Sequence, residues 1–135
     1  MTELFIKTVD PSKIDLEAEL QDVAWKCGFA PEIFKLTDDT IYMEKIDGHT
    51  LADVYGEDPN NVPPRIWRKI RDMVTHLWEE EGIEYVDITP YNFIETDNRI
   101  YMIDFGDAKY SDTEPMNWFL KEFIEGENSW DPDFK

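Results

Sequence analysis

Residues 85–92 read YVDITPYN and residues 101–108 read YMIDFGDA; the first places Asp87 five residues before Asn92, and the second places Asp104 at the head of an Asp-Phe-Gly triplet twelve residues further on. A carboxylate, an amide and a second carboxylate in this order are the residue types that phosphoryl transfer calls for. The transferring group is stabilised chiefly by positioning and by cations, so the protein must supply oxygen ligands for Mg²⁺ and a carboxylate beside the attacking hydroxyl. Neither stretch decides alone. With Asp this abundant, the Asp-x4-Asn spacing arises by chance about 0.7 times in such a chain, and Asp112 with Asn117 is a second, isolated copy. The triplet is rarer, at roughly four chances in a hundred. What carries the inference is the order of the two and the elements between and around them.

Upstream, Ile66, Ile70, Met73, Val74 and Leu77 mark one face of a long helix that ends near Gly82. Between the stretches, NFIE and RIYMID flank Thr96-Asp97-Asn98 as a hairpin running into the triplet. At the other end, residues 3–9 alternate as a strand, and Asp10-Pro11 offers a cap followed by a first-turn proline, which predicts a helix at once. Leu16, Leu20, Val23, Ala24 and Cys27 fall at helical spacing, with Gly28 and Pro31 closing the helix. EIFKL and IYMEKI around TDDT predict a hairpin over residues 32–46, and DGHTLADVY a turn and a short helix. Residues 56–64, with Pro59, Pro63, Pro64 and two Asn, form a loop. A last helix is expected around residues 118–124, followed by a polar tail in which Trp130 is the tryptophan best placed to bind something.

Composition narrows the function classes. At 135 residues and 41% hydrophobic, the chain is expected to form one domain with a true core. Thirty-one acids against 13 bases, a formal charge of -18, weigh against a nucleic-acid surface. The same charge slows encounter with an anionic nucleotide unless Mg²⁺ screens the approach. The single cysteine, Cys27, excludes an internal disulfide and reads as a small buried residue. His49 and His76 have no ligand-spaced neighbour and read as surface histidines. Without a signal peptide or a membrane-length apolar run, a cytoplasmic protein with no membrane association is expected.

The order of elements and motifs resembles the protein kinase-like superfamily, most closely its small atypical branch of RIO-type and KEOPS-complex kinases, over nearly the whole chain. VDITPYN resembles that branch's catalytic loop, including Thr89 where ordinary kinases carry a lysine, and IYMEKIDGHTLADV resembles its hinge. The resemblance implies an α+β, reduced kinase-like fold: a minimal small lobe and hinge over residues 1–48, with about three antiparallel strands and one helix, and a small, mostly helical C-lobe over residues 49–135. It implies ATP and Mg²⁺ as cofactors. Met43 would be the gatekeeper, and Glu44, Lys45 and Ile46 would hold adenine. Lys7, in FIK, would bind the phosphates, with Glu17 of EAELQDVAWKCG as its ion-pair partner and Glu19 as the alternative. Asp87 would orient or deprotonate the acceptor hydroxyl, Asn92 and Asp104 would hold the metal, and Phe105 would pack beneath the site.

Departures from the family pattern shape the expectation further. Six residues precede Lys7 and none is Gly, so the glycine-rich loop is expected to be missing and the phosphate site open to water, which weakens its electrostatics. Tyr85 and Val86 replace the usual His-Gly or His-Arg, and no APE-type segment follows Gly106. The strand around Lys7 would then be a sheet edge open to a protein partner or a second copy. Three function classes follow. The first is a Mg²⁺- and ATP-dependent kinase or ATPase acting on a Ser/Thr hydroxyl. The second is a kinase-shaped binding module that engages a partner through its acidic surface or open edge. The third, a small-molecule phosphotransferase, needs a larger helical substrate domain than this chain has room for.

Overall fold

Alternation at the start of the chain becomes an antiparallel sheet in the computed structural model, which describes residues 3–97, 99–111 and 118–125. Strand β1 (Leu4–Thr8) pairs with β3 (Thr40–Glu44), which pairs on its other side with β2 (Ile33–Leu36), giving the order β1-β3-β2. The register runs from Leu4 opposite Glu44 to Thr8 opposite Thr40, with Lys7 opposite Ile41. Only the central strand carries a buried stripe, Ile41 and Met43. Edge strand β1 leaves Leu4, Phe5 and Ile6 exposed.

Helix α1 (Ile14–Lys26) corrects the sequence reading in two respects. It begins three residues beyond Pro11, because Asp10 spends its carboxylate on a local turn, accepting from the Ser12 N–H at 2.9 Å and the Ser12 hydroxyl at 2.8 Å. Its buried face is also rotated. Ile14, Glu17, Ala18, Leu20, Gln21 and Ala24 point inward, whereas Leu16 is exposed and Val23 and Cys27 are half-buried. The face includes two polar residues because each has a partner: Glu17 meets Lys7, and the Gln21 amide donates to the Pro31 carbonyl at 3.0 Å. Apolar periodicity gives no weight to such residues.

The remaining elements surround helix α3 (Pro64–Glu81). Ile66, Ile70, Met73, Val74 and Leu77 are buried as the periodicity predicts, joined by Trp67. Each fully buried aliphatic side chain there contributes about 1.5–3 kcal/mol relative to exposure. Gly82 ends the helix at φ 66°, in the left-handed region that a side chain disfavours. Strand β4 (His49–Thr50) and helix α2 (Leu51–Tyr55) precede α3, and Thr50 caps α2 by accepting from the Asp53 N–H at 3.1 Å. The second hairpin, β6 (Phe93–Glu95) and β7 (Ile100–Met102), forms as expected but gains β4 as a third strand, order β4-β6-β7. Gly48 makes that pairing possible, since a Cβ there would stand 2.8 Å from the Glu95 carbonyl oxygen. Strands β5 (Ile83–Glu84) and β8 (Lys109–Tyr110) pair antiparallel, and α4 (Trp118–Glu125) packs on α3. Asn98 and Trp130 lie outside the described residues.

Two apolar clusters result. A small one, Ile14, Ala18, Ile41 and Met43, sits under the first sheet; a large one joins Leu20 and Ala24 of α1 to α3, the hairpin, Phe105 and α4. Helix α1 therefore belongs to both. No helix among the described residues is long and apolar enough to cross a membrane.

Candidate functional site

Strand β1 points Lys7 away from solvent and toward α1, where its Nζ lies 2.5 Å from Glu17 Oε2 and 3.2 Å from Asp104 Oδ1. Glu17 is 5% exposed and Lys7 25%. Burial alone would pull the Lys7 ammonium down, but the Glu17 hydrogen bond and then the Asp104 and Glu17 charges outweigh it, so the group ends above its ordinary value. It stays charged at any physiological pH. Glu19 is engaged elsewhere: its Oε2 accepts from the Tyr110 hydroxyl at 2.6 Å, which pushes that phenol up to about 12. The geometry thus joins Lys7 to Glu17 rather than to Glu19.

Asp104 is held by more than Lys7. The Gly106 N–H donates to its Oδ1 at 2.9 Å, and a Cβ on Gly106 would stand 3.1 Å from that same oxygen. Behind it Phe105 is fully buried and meets Tyr85 edge to face, with ring centroids 5.2 Å apart. Tyr85 also tilts against Phe93 at 5.8 Å. This aromatic stack fixes the triplet beneath the site. It also traps a hydroxyl: Tyr85 Oη is buried near the Asp104 backbone without a hydrogen bond of good geometry. A buried hydroxyl with no partner costs about 1–3 kcal/mol. Tyr85→Phe should therefore raise the melting temperature by about 3–5 °C, the shift that ~1 kcal/mol produces in a domain of this size. Thermal unfolding followed by circular dichroism checks this; a lower melting temperature would show that the hydroxyl is in use.

The loop between α3 and β6 is tied by short bonds. The Asn92 side-chain amide donates to the Asp87 carbonyl at 2.8 Å, the Asn92 N–H to the Thr89 carbonyl at 3.1 Å, and the Ile103 N–H to the Asn92 carbonyl at 3.0 Å. The last bond brings the Asn92 loop against the residue that precedes Asp104. The amide nitrogen of Asn92 is thereby used, which leaves its oxygen, the atom type a hard cation takes. Desolvation pushes the Asp87 carboxyl up, helped by the Asp107 and Asp104 charges and opposed by the Asn92 side chain.

A cleft of about 440 Å³ collects most of the expected binding residues: Lys7, Met43, Glu44, Lys45, Ile46, Asn92 and Asp104 all line it. Glu17 and Asp87 do not; Glu17 lies behind Lys7, and Asp87 adjoins the cleft residue Asn92, whose side-chain amide donates to the Asp87 main-chain carbonyl. At the end of β3, the Glu44 N–H bonds to the Glu32 carbonyl at 2.8 Å and the Lys45 N–H to the Glu3 carbonyl at 3.2 Å. Among the described residues, Ile46 is the member of that trio whose N–H has no backbone acceptor. The sequence reading missed Phe5, Tyr91 and Ile103 in the lining. Phe5 was accessible to it, because it stands two residues before Lys7 and strand side chains repeat every second residue.

Residues 17–126 match the RIO domain family. The chain belongs to that family. The RIO domain match includes Glu17, Asp87, Asn92 and Asp104 and begins after Lys7. The protein is also similar to curated relatives. These include a probable serine/threonine-protein kinase BUD32 homolog of Archaeoglobus fulgidus, 34% identical over 82% of this chain and 53% of the relative. The KEOPS complex subunit Bud32 of Pyrococcus abyssi is 33% identical over 54% of this chain and 33% of its own. The EKC/KEOPS complex subunit BUD32 of Encephalitozoon cuniculi is 35% identical over 57% and 37%. The alignments thus span about half or less of the length of these relatives. With this RIO domain match and the α+β layout above, the fold is a reduced, atypical kinase-like one.

Proposed function

We propose that the protein is an atypical kinase or ATPase that moves the γ-phosphoryl group of ATP, in the presence of Mg²⁺, to a Ser or Thr hydroxyl of a protein. The observation that carries this reading is the junction of Lys7, Glu17 and Asp104, in which side chains 97 residues apart meet at one mouth of a cleft. A fold needing only stability gains little by gathering one ammonium and two carboxylates beside a cavity.

In this reading residues 1–48 act as small lobe and hinge and residues 49–135 as C-lobe. Adenine lies against Met43 and takes the Ile46 N–H. Lys7, held by Glu17, meets the phosphates. The oxygens of Asn92 and Asp104 suit Mg²⁺, which would neutralise phosphate charge when bound. Asp87 takes the proton of the acceptor hydroxyl as the oxygen–phosphorus bond forms, and ADP leaves with the electrons of the broken bond. The names of the relatives as KEOPS subunits support a protein partner, and the exposed Leu4, Phe5 and Ile6 of edge strand β1 support that strand as the contact, with a partner or in a homodimer. A cytoplasmic setting, without nucleic acid or membrane contact, fits the acidic surface.

The test is a melting shift with ATP, with and without Mg²⁺, on the native chain and on Asp104→Asn, since a bound ligand stabilises by RT ln(1 + [L]/Kd). A Mg²⁺-dependent upward shift that Asp104→Asn loses is expected. No shift at millimolar nucleotide would favour the kinase-shaped binding module instead.

A further inference from the structure

Ten residues beyond Glu17, at the opposite end of α1, lies a cluster that the phosphate site does not use. Cys27 Sγ, an imidazole nitrogen of His76 and a carboxylate oxygen of Glu81 all lie within 4.8 Å of one another. We infer that Cys27, His76 and Glu81 form a site for a thiophilic divalent cation, Zn²⁺, which ties the end of α1 to α3. The inference stands apart from the nucleotide reading and shares no residue with it.

The donor set is the first argument. Thiolate, imidazole and carboxylate together suit Zn²⁺, whereas Mg²⁺ takes oxygen ligands. Three protein ligands leave a fourth position for water, the usual arrangement of an open zinc site. Geometry is the second. Ligand atoms around a tetrahedral Zn²⁺ stand about 3.3–3.6 Å apart, so the three must close by at most roughly 1.5 Å. Glu81 is exposed and able to make that adjustment, while Cys27 is half-buried and His76, although exposed, packs against Phe29.

The setting is built rather than accidental in its backbone. Cys27 ends α1 with its N–H shared between the Val23 and Ala24 carbonyls, both at 3.2 Å, and Gly28 follows at φ 84°. His76 is steadied by Phe29, whose ring meets it edge to face at 5.5 Å and 84°. Glu81 is the last residue of α3, against the Gly82 cap. Burial and the Glu81 carboxylate push the Cys27 thiol up, so the cation-free site is a thiol and binding displaces its proton. His76 is a surface histidine, as the sequence suggests, and the fold brings Cys27 and Glu81 within reach of it. Cys27 and His76 come from different helices, and no spacing rule links them.

Titration with Co²⁺ as a probe tests this, because a thiolate–cobalt charge-transfer band can arise only at Cys27, the sole cysteine. A saturable one-to-one band that Zn²⁺ displaces is expected. Cys27→Ser should abolish it, and His76→Gln and Glu81→Gln should each weaken binding by more than the roughly 10–100-fold that loss of an outer-shell partner costs. Asp104→Asn should leave the band intact, which separates this site from the phosphate site. Zn²⁺ should raise the melting temperature of the native chain and not of His76→Gln. If no band appears, if His76→Gln binds as the native chain does, or if Zn²⁺ leaves the melting temperature unmoved, the site is overturned. His76 is exposed, so its variant keeps the test sound even where Cys27→Ser folds poorly.

Discussion

Asp87→Asn is expected to lower phosphoryl transfer by about 10²–10⁴-fold, the usual worth of a positioned base, in a protein that melts no lower than the native chain. The second half of that expectation follows from the environment of the carboxyl. Desolvation first, then the charges of Asp107 and Asp104, push it above its ordinary value, against the opposing Asn92 side chain. A carboxyl whose folded pKa exceeds its unfolded value, near 3.9, contributes stability below that unfolded value and loses it as pH rises through the folded one. At neutral pH the ionised Asp87 is therefore a net cost, and the neutral amide relieves it. The same shift suits a base, because it raises proton affinity. Label transfer and thermal unfolding on the same preparations separate the two effects. The acid limb of the kcat/KM profile should lie above the ordinary carboxylate range, and Asp107→Asn, which removes one repelling charge, should move it to lower pH. A variant that keeps its transfer rate, or an acid limb indifferent to Asp107, would remove Asp87 from the reaction.

That Asp87 and Asp104 could be singled out from sequence reflects how much of this fold is written in local pattern. The long helix was legible because its buried face is purely apolar and its terminus is a glycine in the left-handed region. Both hairpins were legible because polar turn residues separate alternating runs. Helix α1 was misread for the complementary reason: Glu17 and Gln21 occupy its inner face, and a scale that ranks residues by apolarity rotates such a helix toward Leu16. Long-range pairings left no local trace. The β5–β8 pair, the addition of β4 to the second hairpin, and the approach of Cys27 to His76 depend on where whole elements land, which neighbouring residues do not encode. Glu17 was the first choice from the sequence, with Glu19 as the alternative, and the fold separates the two by the Lys7–Glu17 pair and the bond from Tyr110 to Glu19.

Lys7→Met should destabilise the chain, and it separates two roles that the native chain combines. The substitution leaves Glu17, 5% exposed, without its cation at 2.5 Å. Removing one partner of a fully buried pair costs about 3–5 kcal/mol; here the figure should be about 2–3 kcal/mol, because a quarter of Lys7 already reaches water. Adding Glu17→Gln removes the stranded charge, so the double variant should recover most of that loss, the non-additivity expected of residues in direct contact. Nucleotide response should not recover with it. If Lys7 meets the phosphates, the Mg²⁺-ATP melting shift is absent from the single and the double variant alike, although the double variant is folded nearly as firmly as the native chain. Thermal unfolding of the four proteins with and without nucleotide gives both answers in one experiment. A Lys7→Met protein that melts like the native chain would show that the ion pair contributes nothing, and a double variant that regains the nucleotide shift would reduce Lys7 to a structural cation that neutralises Glu17 and Asp104.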